Sequence, residues 1–292
     1  MSFRGAFTAL VTPFKNGAVD EEAYRAFIEW QIEQGIDGVV PCGTTGEAAT
    51  LSHAEQGQVI KICVDQVKGR VPVIAGAGSN NTSEAIELVA LAKQAGADAA
   101  LLITPYYNKP TPDGLLAHFK AIAAEAPMPF IVYNVPGRTG LNMLPKTLAR
   151  IAKAVPEIIG VKEATGDIKQ GTEVIEALGR DFIVLSGDDF TVLPLLAVGG
   201  HGTISVTSNV MPGKMAAMIA AFNKRDTARA QALNLELMPV NRAMFIETNP
   251  IPVKTALSLM GKMGLEFRLP LVPLEAAHLE QLKLMLKECG LI

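Results

Sequence analysis

The stretches PFIVYNVP (129–136) and IIGVKEA (158–164) are continuous apolar runs, and each is followed by a segment of helical periodicity. Such runs are typical of strands in a parallel sheet that helices cover on both faces. Six further runs repeat the alternation: FTALVT (7–12), GVVPCG (38–43), VPVIAGAG (71–78), AALLITPY (99–106), FIVLSGDD (182–189) and GTISVTS (202–208). Eight units spaced by about 25 to 30 residues predict an α/β fold, a closed (β/α)8 TIM barrel.

The strand pattern stops near residue 225, and three helical segments follow at 227–246, 252–260 and 274–288. The helix predicted between the second and third strands also has a start signal, because Ser52 and Glu55 have the spacing of a capping box. We therefore predict a (β/α)8 barrel catalytic domain over 1–224 and a C-terminal helical extension over 225–292.

Composition excludes several classes of partner. The net charge of −3 gives no electrostatic reason to expect nucleic acid, and no run of about 18 apolar residues predicts a membrane span. The three cysteines are far apart, which indicates a reducing, cytoplasmic setting, and the four histidines show no metal-ligand spacing. The two glycines of GAGSNN (76–81) do not complete a dinucleotide fingerprint, which needs a third. No metal or cofactor is expected.

Lys162 is the unusual residue of the sixth predicted strand. Strict alternation would place Ile158, Gly160 and Lys162 on one face and Ile159, Val161 and Glu163 on the other. If Lys162 points inward, its amine enters the barrel mouth, where the active sites of such barrels lie. Burial disfavours the ammonium form, and a neutral amine can attack a carbonyl to form a Schiff base.

Other interpretations of these residues remain open on pattern alone. Lys162 could face outward and extend its amine to solvent, and Lys254, after NPIP (249–252), is a rival nucleophile outside the barrel strands. Tyr133 could be a packing residue, the hydroxyls of GTTGE (43–47) could cap a helix, and Arg138 could be a surface charge.

Six motifs in order resemble the 4-hydroxy-tetrahydrodipicolinate synthase family, also called dihydrodipicolinate synthase. They are GTTGE (43–47), TPYYNKP (104–110), YNVPGRTG (133–140), GVKEATGD (160–167), SGDD (186–189) and NPIPVK (249–254). The resemblance implies a lyase of lysine and diaminopimelate biosynthesis, which condenses pyruvate with L-aspartate 4-semialdehyde through a lysine Schiff base and needs no cofactor.

The resemblance also implies roles for individual residues. Lys162 would form the Schiff base, and Tyr133 would be the general acid/base, linked through Thr44 to Tyr107 of a neighbouring subunit. Thr45 would hold the pyruvate carboxylate, Arg138 would bind the aldehyde's carboxylate or orient the relay, and Gly187 and Ile204 would supply backbone contacts. Members of the family are commonly homotetramers, built as dimers of dimers.

L-Lysine inhibits some members of the family at a dimer interface. The matching positions here are Ala49, His53, Asn80, Glu84 and Tyr106. Gln56 stands where the more sensitive members often carry a second histidine, so we expect inhibition that is weakened.

Three alternatives compete with this function. Sialic acid lyases and keto-deoxy sugar acid aldolases share the lysine and the tyrosine, but PYYNKP with GRTG suits a short aldehyde bearing a carboxylate better. A non-catalytic sensor of 2-oxo acids would have no need of a proton relay. A phosphate-substrate isomerase would have to use VGGHG (198–202), which is more typical of a turn into a strand.

Overall fold

The chain folds around eight parallel strands in the computed structural model, which describes residues 2–292. The strands are β1 (Gly5–Ala9), β2 (Gly38–Val40), β3 (Ile74–Gly76), β4 (Ala99–Ile103), β5 (Phe130–Asn134), β6 (Ile158–Glu163), β7 (Ile183–Ser186) and β8 (Gly202–Ser205). They pair in the order β2-β1-β8-β7-β6-β5-β4-β3. A parallel bridge between Val39 and Val73 joins the two ends of this sheet and closes the barrel. The predicted TIM barrel is confirmed.

Helices follow every strand and form the outer layer. They are α1 (Glu21–Glu33), α2 (His53–Val67), α3 (Thr82–Ala95), α4 (Pro112–Glu125), the short α5 (Pro136–Thr139), α6 (Pro145–Ala154), α7 (Ile168–Leu178), α8 (Val192–Ala197) and α9 (Pro212–Asn223). A two-stranded hairpin, Phe14–Lys15 with Ala18–Val19, precedes α1. Helix α2 begins with the predicted capping box, because Ser52 and Glu55 each bind the other's backbone N–H.

The C-terminal extension contains α10 (Thr227–Ala243), α11 (Ile251–Leu259) and α12 (Ala276–Glu288), as the periodicity predicts. Its apolar residues Val240, Val253 and Leu282 belong to the same buried cluster as the helices around the barrel. The extension therefore shares the core of the barrel. Within residues 2–292, no helix combines the length and the apolar character needed to cross a bilayer.

Apolar side chains fill the barrel in two layers. The larger cluster lies between the strands and the helices, and a smaller one fills the barrel interior. The interior cluster includes Phe7, Val40, Ile74, Leu101, Ile131, Tyr133, Leu185 and Ile204. Because side chains alternate along a strand, membership of the interior cluster shows which residues point inward.

Strand β6 departs from strict alternation at its start. The register with β5 shifts by one residue, since Phe130 pairs with Ile158 but Ile131 pairs with Gly160. Ile158 consequently belongs to the outer cluster, whereas Ile159 packs against the interior one. The prediction that Ile158 shares a face with Lys162 is wrong, because an extra residue in one strand reverses the faces before it.

Candidate active site

Lys162 points into the barrel mouth near the C-terminal end of β6. A Cβ on Gly160 would lie 2.7 Å from the Ile183 Cβ and 2.9 Å from the Ile131 Cδ1, both interior side chains. Gly160 and, two residues on, Lys162 therefore face inward, as predicted. The lysine is only 6% exposed.

Gly187, just after β7, packs on the aliphatic stem of Lys162. A Cβ at this position would lie 2.9 Å from the Lys162 Cε and 2.6 Å from the Ala164 Cβ. The Gly187 N–H donates to the Glu163 carbonyl at 2.7 Å, which places its backbone directly beside β6. Gly187 thus leaves the room that the lysine stem occupies.

Tyr133 on β5 is the nearest aromatic neighbour of the Lys162 amine. The Nζ lies 4.2 Å from the centroid of its ring, and the two residues are register partners. None of the salt bridges formed within residues 2–292 includes Lys162. A buried amine with no carboxylate partner, next to a phenol that can transfer protons, is suited to imine chemistry.

The Gly43–Glu47 turn after β2 carries the two threonine hydroxyls. Its backbone closes through the Glu47 N–H, which donates to the Thr44 carbonyl at 3.1 Å. Thr44 and Tyr133 line a common cavity, which brings together two of the predicted relay residues. The buried Thr45 hydroxyl accepts a hydrogen bond from the Asn249 Nδ2 at 3.0 Å, so its own proton is free to bind an anion.

Arg138 lies on the short helix α5 and is exposed. Its Nη2 donates to the Asn249 carbonyl at 3.1 Å, so the guanidinium is tied to the C-terminal extension on one side. Asn249 therefore contacts both Thr45 and Arg138, and its Oδ1 is buried without a hydrogen-bond partner. This asparagine, within the NPIPVK motif, was not predicted as a site residue.

The remaining predicted residues, Ile204 and Tyr107, differ in burial. Ile204 on β8 is buried in the interior cluster, and its register partner on the neighbouring strand β1 is Phe7. Tyr107, in the loop after β4, is 90% exposed and has a φ of 68°. Within one chain the structure does not bring Tyr107 to Lys162.

A cavity of about 290 Å³ joins the Gly43–Glu47 turn to most of the predicted effector positions. Its lining includes Thr44, Tyr133, Ala49, His53, Glu84 and Tyr106. Asn80 does not line it, but its amide donates to the carbonyl of Tyr106, which does, at 3.2 Å. Two of the predicted relay residues and four of the predicted effector positions thus line one cavity, which was not predicted.

Two polar effector positions already have partners. The Ser79 hydroxyl donates to Glu84 at 2.8 Å, and His53 contacts Glu87 at 3.0 Å. Gln56, also in the cavity wall, donates to the Ala48 carbonyl at 3.2 Å. The cavity therefore offers the Glu84 carboxylate as a charged group for a ligand's ammonium.

Lys254, the rival nucleophile, and the cavity-lining Cys42 are both unsuited to attack a carbonyl. The Lys254 amine is fully buried in an ion pair with Glu47 and donates to the Glu266 carbonyl at 2.7 Å, so it is not free to attack a carbonyl. Burial raises the pKa of the Cys42 thiol well above its usual range, so this cavity-lining thiol stays protonated. Lys162 is the better-placed nucleophile.

The fold and the site together define an enzyme of the imine-forming, class I aldolase type. Residues 2–289 match the sequence model of the Dihydrodipicolinate synthetase family. The 4-hydroxy-tetrahydrodipicolinate synthase of Maridesulfovibrio salexigens is 68% identical over 292 residues, all of both chains. The chain belongs to the dihydrodipicolinate synthetase family.

Solved structures have the same fold throughout. The chloride-inhibited dihydrodipicolinate synthase of Acinetobacter baumannii, complexed with pyruvate, is 47% identical over all of both chains, with a TM-score of 0.97. The enzyme of Cyanidioschyzon merolae with lysine bound is 40% identical over 99% of each chain, with a TM-score of 0.96. The reaction is the family's aldol-type condensation of pyruvate with L-aspartate 4-semialdehyde, which gives 4-hydroxy-tetrahydrodipicolinate in the diaminopimelate route to lysine.

Proposed function

We propose that Lys162 is the residue that captures pyruvate in this reaction. Its amine attacks the ketone carbon, and loss of water gives an imine. The observation that carries this assignment is the buried amine, 4.2 Å from the centroid of the Tyr133 ring and outside every salt bridge of the described chain. The imine withdraws electrons, so a methyl proton can leave, and the resulting enamine attacks the aldehyde carbon.

We assign the proton transfers to Tyr133, assisted by Thr44 and Tyr107. Tyr133 is adjacent to the amine, and Thr44 lines the same cavity. A positioned phenol can donate a proton to the leaving water and accept one from the methyl group. The exposure of Tyr107 supports its entry into the relay from a second subunit.

Substrate carboxylates are assigned to the turn and to α5. The Thr45 hydroxyl has a free proton for the carboxylate of pyruvate, the molecule bound in the Acinetobacter baumannii relative. Arg138, with one nitrogen held by Asn249, offers its remaining N–H groups to the carboxylate of the aldehyde. The backbones near Gly187 and Ile204 complete the pocket around the lysine stem.

The test of this assignment is consumption of aspartate semialdehyde that depends on pyruvate, coupled to NADPH oxidation by the reductase that acts on the product. Lys162→Ala should lose activity by several orders of magnitude, whereas Lys169→Ala, which alters an exposed lysine on α7, should retain it. Full activity in Lys162→Ala would reject the nucleophile. Activity with a sugar acid instead of the aldehyde would favour the sugar-acid aldolases.

We propose a homotetramer in the cytoplasm, with the barrel over 1–224 and the extension over 225–292. The exposed Tyr107 and Leu144 support burial against another subunit, because large apolar side chains are costly to leave in water. The three cysteines are free, which fits a reducing compartment. Sedimentation of the purified protein measures the assembly directly.

We further propose that L-lysine inhibits the enzyme in the cavity shared with Thr44 and Tyr133. The ligand's ammonium would pair with Glu84, which lines this cavity. A family member, the enzyme of Cyanidioschyzon merolae, has been solved with lysine bound. Glu84→Ala should raise the half-inhibiting lysine concentration at least about tenfold. The exposed Glu176→Ala should leave it unchanged; equal inhibition curves for wild type and Glu84→Ala would reject the site.

A further inference from the structure

Lys254 and Glu47 form an ion pair that is fully buried between the C-terminal extension and the turn after β2. Both side chains are 0% exposed. The Lys254 amine also donates to the Glu266 carbonyl at 2.7 Å and lies 4.3 Å from the centroid of the Phe14 ring. Every side of this amine is therefore occupied by protein.

Stability alone is a weak reason for such a pair. Removing two charges from water carries a large desolvation cost, and well-packed apolar residues of similar volume often stabilise a core as well or better. Burial lowers the pKa of Lys254, and the Glu47 carboxylate opposes this effect. A role in geometry accounts better for a charged pair at this place.

Glu47 ends the turn that carries the threonine hydroxyls, and its backbone is in an unfavourable region. Its φ is 54°, a left-handed conformation that glutamate rarely adopts. One carboxylate oxygen binds Lys254, and the other accepts from the Arg268 N–H at 3.3 Å. The extension thus holds the side chain of the very residue whose backbone is strained.

The same segment contacts the turn a second time. The Asn249 Nδ2 donates to the Thr45 Oγ1 at 3.0 Å, five residues before Lys254 in the chain. The Asn249 side chain is itself only 5% exposed. Two residues of one short segment therefore hold two residues of the Gly43–Glu47 turn.

We propose that Asn249 and Lys254 are positioning residues that hold the Gly43–Glu47 turn in the geometry that binds the carboxylate of pyruvate. This role rests on the proposed function of Thr45. Neither residue touches a reacting atom. Their loss should raise the pyruvate concentration needed for capture and affect the later attack on the aldehyde much less.

The experiment measures the pyruvate concentration that gives half-maximal borohydride trapping on Lys162, together with the melting temperature. The variants are Asn249→Ala and the double variant Lys254→Met with Glu47→Gln, which removes both charges and leaves neither unpaired. Thr45→Ala reports what loss of the hydroxyl itself does. Lys262→Met is the matched control, because its amine lies over the Trp30 ring, away from the turn.

We expect half-maximal pyruvate to rise at least about tenfold in Asn249→Ala and in the double variant. The double variant should keep a melting temperature close to that of wild type, and Lys262→Met should match wild type in both measurements. If the double variant does not fold, Asn249→Ala decides the question.

Two results overturn the proposal and differ in what they reject. Wild-type half-saturation in Asn249→Ala and the folded double variant, with a raised value in Thr45→Ala, rejects the positioning role alone. Wild-type half-saturation in Thr45→Ala rejects the assignment of Thr45 and the positioning role with it.

Discussion

The Lys162 amine lies 4.2 Å from the centroid of the Tyr133 ring, and the two residues are register partners on adjacent parallel strands. This pairing follows from the parallel ladder, which sets residues of β5 and β6 side by side with both side chains inward. The amine and the phenol are thus both carried by hydrogen-bonded strands of the barrel. Their separation does not depend on a mobile loop.

Tyr133→Phe should slow turnover by about 10² to 10⁴-fold, the usual contribution of a positioned proton donor or acceptor. The ring stays beside the Lys162 amine in this variant, so the expected loss belongs to the hydroxyl. Steady-state kinetics with both substrates measures it. Tyr24→Phe, which alters a buried tyrosine on α1, is the control and should behave as wild type. Normal turnover in Tyr133→Phe would remove this tyrosine from the relay.

Gly187→Ala should impair both stability and activity, because the new Cβ would lie 2.9 Å from the Lys162 Cε and 2.6 Å from the Ala164 Cβ. Overpacking of this kind costs about 1–3 kcal/mol in the free energy of unfolding. Activity should fall further than stability explains, since the displaced atoms belong to the nucleophile. Urea unfolding and kinetics measure the two effects.

The matched control for this substitution is Gly264→Ala. A Cβ at Gly264 would meet no atom within 4 Å, so both measurements should remain at wild-type values. If Gly187→Ala is as active and stable as Gly264→Ala, Gly187 is not needed to make room for the lysine stem.

Tyr107 should act in trans, since it is 90% exposed and lies away from Lys162 of its own chain. Tyr107→Phe and Lys162→Ala should each be defective when expressed alone. Co-expressed with different affinity tags, they should form mixed dimers in which one site combines an intact Lys162 with an intact Tyr107. Random pairing would restore about a quarter of the sites. No recovery in purified mixed dimers would place Tyr107 in its own subunit's site or in none.

The contact of the extension with α2 should weaken in acid. The Arg268 guanidinium, followed by the Ser52 backbone, lowers the pKa of Glu55 from 4.5 to about 2. Because the folded-state pKa is depressed, the stabilisation is complete above about pH 4.5 and is lost as the pH falls toward 2.

Urea unfolding of wild type and Glu55→Gln across this range checks the sign. The difference in the free energy of unfolding should be largest near neutral pH and shrink steadily in acid. In an Arg268→Met background the carboxylate keeps only the Ser52 N–H, so adding Glu55→Gln should give a smaller difference at neutral pH than it gives in wild type. A difference that grows in acid would contradict the assignment.

The barrel was predictable because each strand is a short, continuous apolar run. Such runs are typical of a parallel sheet that is buried on both faces. Alternation predicted that Gly160 and Lys162 share a face, and the structure shows that this face points inward. Ile158 was assigned to the wrong face, because the register shift beside Phe130 depends on how β5 and β6 pack and has no local signal. Several strands also end earlier than predicted, as at Val40, since the chain leaves the ladder to build the turn.

The support of the site was the harder part to predict. Asn249 and Thr45 are 204 residues apart in the chain, and Lys254 and Glu47 are 207 apart. Both motifs were recognisable as motifs, but a contact between two loops depends on where the extension packs. Lys254 was therefore considered as a nucleophile, and only its pairing with Glu47 gives it a different role.

The most direct test of the central claim is to treat the enzyme with pyruvate and borohydride and to locate the reduced adduct by peptide mass spectrometry. We expect one modified lysine, Lys162, and no adduct in Lys162→Ala, whereas Lys169→Ala should be modified as wild type is. An adduct on Lys254 or on any other lysine, or an active wild type that traps no pyruvate, would contradict it.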